Sequence, residues 1–81
     1  MGETNPFLHM SLHLSVIEQI GINQPVGIAS IYARLKAKHQ EAHRAQHDIL
    51  DCLAETIWQA QRQQRALDAE HYLNLLNNKL K

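Results

Sequence analysis

Apolar residues recur three and four positions apart through most of the chain, and no β-branched run alternates with polar residues, so the pattern predicts helices and no strand. Asn5-Pro6 reads as an N-cap followed by proline at the first helical position, where the missing N–H would have no partner anyway. A first helix is expected over roughly 6–20, with Gly21 as its stop and Pro25 as a second start. The second, over roughly 25–38, sets Ile28, Ile31, Tyr32 and Leu35 on one stripe and places Arg34, Lys36 and Lys38 near its C-terminus, where the helix dipole favours cations. A break between Lys38 and Glu41 follows only from the phase of the stripe, since no Gly or Pro marks it. A third helix over roughly 42–64 follows. Asp68 is the expected N-cap of a fourth, roughly 69–80, with Tyr72, Leu73, Leu76 and Leu80 as its apolar stripe.

The expected fold is therefore all-α: a single, small, bundle-like four-helix domain over residues 1–81, its first and third helices packed through histidine-bearing faces. A chain of 81 residues buries only ~60–65% of its unfolded surface, so a staple or a second copy is expected. The one cysteine, Cys52, cannot close an internal disulfide, which leaves a metal, an oligomer interface as in a homodimer, or a missing segment as the expected staple. Eight basic against eight acidic side chains lack the cationic excess that neutralises phosphates, so no nucleic-acid partner is expected. No apolar run reaches the ~18 residues of a membrane span, and the N-terminus MGETNPF has no signal-like character. With the lone thiol, these features give a cytoplasmic expectation.

Six histidines change the picture, because five of them fall into H-x-x-x-H spacings: His9 with His13, and His39, His43 and His47 in series. Residues four apart are neighbours on one helix face. At ~100° per residue, His9 and His13 share a stripe with Val16 and Ile20, flanked by Met10, Leu14 and Ile17, with Ser11, Ser15 and Glu18 opposite. His43 and His47 lie at the edge of the apolar arc of Leu50, Ala54, Ile57 and Trp58. From there a His43–His47–Asp51–Glu55 column climbs toward solvent. Two such pairs on facing helices can converge on one ion, since imidazole suits Zn, Fe, Ni or Cu and bundle-core sites are assembled this way. The expected ligands are His9, His13, His43 and His47, with Asp51 or Glu55 as a further ligand or an acceptor fixing an imidazole tautomer.

Other constellations carry less. His39 lies at the doubtful boundary and His71 in an exposed first turn, and neither is counted as a ligand. HQEAH at 39–43 has its glutamate in the wrong place for a zinc-protease base. Cys52 falls on the polar side of the third helix, opposite His43, with no neighbouring base to make it a nucleophile. Trp58 is explained by core packing.

NPFLHMSLHL at 5–14, H-x-x-x-H at 43–47 running into DCLAE at 51–55, and W-x-A-Q-R at 58–62 together resemble a bacterial family of domains of unknown function, number eighteen-forty-one. The likeness spans roughly residues 2–75. It implies a small all-helical protein, and no activity. His9, His13, His43 and His47 fall on positions that the family pattern also writes as histidine, whereas Asp51 stands where the pattern has glutamate, shortening the reach of a carboxylate ligand. Family members carry a further N-terminal segment, so this chain is expected to correspond to their C-terminal part and to dimerise in compensation. The leading functional expectation is a protein binding a divalent transition metal, zinc or iron. The alternative is a structural or protein-interaction domain with a metal-free, hydrogen-bonded histidine cluster. A hydrolase or oxygenase with an open coordination position is a third class, for which no positioned base speaks.

Overall fold

The computed structural model describes the backbone of residues 6–81 and the side chains of residues 12–81. Four helices follow in order: α1 (Pro6–Ile22), α2 (Ile28–His39), α3 (Ala42–Arg62) and α4 (Ala69–Lys79). There is no strand among the described residues, and the molecule is the all-α four-helix domain that the periodicity predicts. No helix among the described residues is long and apolar enough to cross a membrane. The expected cap Asn5 lies outside the described residues.

Local chemistry fixes the corners. Gly21 does not stop α1, which continues to Ile22; Asn23 breaks it instead, with φ 54° in the left-handed region. Asparagine enters that region more readily than other residues with a Cβ. Its Oδ1 then accepts from the N–H groups of Gly27 and Ala29, both at 3.1 Å. Two donors at the start of α2 are thereby paired from outside the helix. Pro25 lies in the turn before α2, which begins three residues later than the sequence pattern suggests. The unmarked break falls at Gln40, with φ 57°, followed by extended Glu41. Asp68 caps α4 as expected, accepting from the N–H groups of Glu70 and His71.

α3 is the central helix, packed against each of the other three. It contributes Ala45, Ile49, Leu50, Cys52 and Leu53 to a core completed by Ile28, Ile31 and Leu35 from α2, Tyr72 and Leu76 from α4, and Val16 from α1. Two polar groups enter this interior already paired. Thr56, 1% exposed, donates to the Cys52 carbonyl at 2.8 Å, the i−4 back-bond that lets a hydroxyl sit inside a helix bundle. Tyr72 donates its hydroxyl to Gln19 Oε1 at 2.8 Å, joining α4 to α1. At the far corner, Lys38 Nζ donates to the carbonyls of Lys79 and Lys81 and closes the C-terminal end of α4.

Two expectations are corrected here. Cys52 does not lie on a polar side: it is 3% exposed, because α4 covers the face of α3 that the sequence leaves without an obvious neighbour. On α1, the inward side is Leu12, Val16 and Ile20, while Leu14 and Ile17 point outward. That helix is apolar on nearly every side, so its sequence does not define a single buried direction.

Candidate metal centre

The packing of α1 on α3 brings histidines from the two helices together. The ring centroids of His13 and His43 lie 5.7 Å apart with planes tilted by 31°. One turn further along α3, the His43 and His47 rings are 6.4 Å apart and tilted by 49°. His47 Nδ1 stands 3.6 Å from Asp51 Oδ2, with both side chains about half exposed. Glu55 is exposed one turn beyond and lines a shallow depression with Asp51, Ala54 and Trp58. His9 sits four residues before His13 on α1, and its side chain lies outside the described residues. The cluster is thus at the edge of the helix seam: His13 is half-buried, and His43 and His47 are exposed.

Exposure changes the physical argument for a metal. Imidazoles sealed in a small core would each cost ~1–3 kcal/mol if left unpaired, but water reaches His43 and His47. What speaks for a site is therefore the convergence of side chains from two helices. Among the described residues, no group of three or more His, Cys, Asp or Glu side chains is arranged to hold a metal ion.

Three polar arrangements elsewhere were not legible in the sequence. His39 Nε2 and Asp48 Oδ2 are 2.6 Å apart, each side chain 20% exposed, and tie the last residue of α2 to the second turn of α3. A separation of nine residues across a corner has no periodic signature; only the left-handed turn at Gln40 brings the pair together. His71, expected in an exposed turn, is half-buried, and its Nε2 is sealed from solvent without a hydrogen-bond partner. It helps line a cavity of about 120 Å³ with Thr56, Gln59, Gln63, Arg65 and Asp68, where the α3–α4 loop folds back. Arg62 lies over the Trp58 ring, its guanidinium carbon 4.7 Å from the centroid, a cation–π contact on the outer side of α3. Cys52 belongs to the core: burial pushes its thiol up to about 11, which disfavours the nucleophilic thiolate.

No curated protein and no solved structure matches the chain. The family described as a domain of unknown function (DUF1841) matches residues 1–78, nearly the whole length on which the helices and the histidine cluster are built, and the chain belongs to that family.

Proposed function

We propose that this protein binds a divalent transition metal ion, zinc or iron(II), at the α1–α3 seam through His13, His43 and His47, with His9 as the fourth imidazole and Asp51 or Glu55 in support. The observation that carries the reading is the juxtaposition of His13 and His43 from two different helices, 5.7 Å between centroids. Imidazoles sharing one tetrahedral ion at ~2.0–2.1 Å have centroids roughly 5.2 Å apart. The measured separations, 5.7 and 6.4 Å, are both longer than that. Side-chain rotation on otherwise fixed helices is the adjustment required. Asp51 Oδ2 lies 3.6 Å from His47 Nδ1, and closing that gap would let it accept from the imidazole N–H that does not face the ion.

A metal-free cluster in a structural or interaction domain is the second reading, favoured by the same His47–Asp51 approach, which needs no ion. Cobalt(II) titration of chelator-treated, tag-free protein separates the two. The metal reading expects tetrahedral cobalt absorption saturating at one ion per chain. His13→Ala and His47→Ala should each weaken binding about tenfold or more, and His71→Ala should leave it unchanged. Equal losses at all three positions, or no saturable binding, overturn the site.

A further inference from the structure

The loop between α3 and α4 is held by its own backbone. Gln64 stands in the left-handed region, with φ 53°. The Arg65 N–H donates to the Ala60 carbonyl at 2.9 Å, and the Gln64 N–H to the Gln61 carbonyl at 3.2 Å. These are the two nested bonds of a Schellman ending, which close the last carbonyls of α3 and turn the chain back. The loop then meets its second cap, Asp68, whose Oδ1 accepts from the N–H groups of Glu70 and His71 at 3.0 and 3.2 Å. Arg65 and Asp68 are thereby brought over Thr56, Gln59, Gln63 and His71, around the cavity of about 120 Å³.

We propose that this cavity binds a small monocarboxylate, of the size of acetate. The lining is rich in donors: the Arg65 guanidinium and the side-chain amides of Gln59 and Gln63. His71 adds an imidazole whose Nε2 is sealed from solvent and has no hydrogen-bond partner among the described residues, a state that a ligand oxygen accepting from Nε2–H relieves. Acceptors are fewer. Among the described residues the lining holds one carboxylate, Asp68, and two backbone N–H groups already engage it. Thr56 has spent its hydroxyl proton on the Cys52 carbonyl. One cation with surplus donors suits an acceptor of a single negative charge, and a guanidinium meets a carboxylate in two parallel bonds. A dianion such as phosphate would bring a second charge toward Asp68 with no further cation in the lining to balance it. Size sets the other bound. A cavity of ~150 Å³ takes a benzene ring, so this one admits roughly four or five heavy atoms.

The site shares no residue with the histidine seam, does not rest on the metal reading, and is tested in chelator. Acetate is titrated into the nitrogen-15-labelled full chain at pH 7, with ionic strength held constant by sodium chloride. The amide signals of Gln63, Arg65 and His71 and the His71 ring should shift saturably, with a Kd of roughly 1–10 mM, inside the ceiling for a four-atom ligand. Arg65→Gln and His71→Phe should each weaken binding at least tenfold while the helical circular dichroism is retained. Arg34→Gln, a charge removed from α2, and His13→Ala should leave it unchanged. Benzoate, too large for the cavity, should give no saturable shift. Absence of saturation by acetate overturns the proposal, as does binding indifferent to R65Q. Phosphate binding as tightly as acetate overturns it in favour of a general oxyanion site. If His71→Phe unfolds, His71→Gln decides by the same criterion.

Discussion

α1 and α3 carry paired histidines at the same spacing and face each other across one seam, yet they are held in the fold in opposite ways. α3 separates its apolar and polar sides sharply and buries Ala45, Ile49, Leu50, Cys52, Leu53 and Thr56 against three neighbours. α1 distributes apolar residues around its circumference, and of its described side chains only Val16 is fully buried. The difference teaches that average hydrophobicity does not fix how a helix sits. A sharp boundary between its faces does, because only then does turning the helix about its axis expose apolar surface that was buried. α3 has one acceptable orientation; α1 has several of similar apolar character, and specific contacts choose among them.

The largest expected effect tests this contrast directly. Ile49→Ala on α3 removes a side chain with no solvent exposure and should cost about 2–5 kcal/mol of unfolding free energy, through lost burial and the cavity left behind. Ile17→Ala on α1 removes a half-exposed one and should cost less than about 0.5 kcal/mol. Urea melts at concentrations where the chain is monomeric measure both. Comparable losses would mean that the outward side of α1 is packed within a single chain, and the contrast would fail.

The same contrast explains what could be read from the sequence. The helix count, the α4 cap at Asp68 and the stripes of α2 and α4 follow from periodicity and turn chemistry, because those segments separate their faces or carry a cap residue at the expected place. The inward direction of α1 is not readable, and periodicity sets Leu14 and Ile17 beside the apolar stripe for that reason. The burial of Cys52 and His71 escapes the sequence for another reason: it depends on where α4 and the α3–α4 loop return, a non-local fact. The meeting of His13 with His43 was legible, since it needs only that the two histidine-bearing faces adjoin. Their position at the exposed edge of the seam depends on the rotation of α1, and was not.

A smaller effect sharpens the description of α3. Cys52 lies on its α4-facing side, and burial raises the thiol from near 9 to about 11. Between those values the unfolded chain has lost the thiol proton while the folded chain retains it. The native state then binds more protons, so stability falls as pH rises through this interval, by at most ~1.4 kcal/mol per pH unit. Below about 9 the contribution is complete. Urea melts of the parent and of Cys52→Ala at pH 8, 9 and 10 should show the parent losing the steeper share. Parallel slopes would place the thiol in contact with water and return that side of α3 to solvent.

The smallest effect concerns what orients α1. The Tyr72 hydroxyl donates to Gln19 Oε1 at 2.8 Å, and this joins α4 to the inward side of a helix whose apolar surface leaves its rotation poorly specified. Tyr72→Phe keeps the ring, which is 1% exposed, and deletes only the donor. Deleting it should cost about 0.5–1.5 kcal/mol, the net worth of a typical intramolecular hydrogen bond. A merely local bond would end its consequences there. If it selects the orientation of α1, the histidines on that helix should respond as well. Nuclear magnetic resonance of the imidazole rings in Tyr72→Phe should then show altered His13 and His43 shifts and an unchanged His39, whose partner Asp48 lies on α3. Unmoved His13 and His43 signals, with the same loss of stability, would assign the orientation of α1 to the packing of Leu12, Val16 and Ile20 alone.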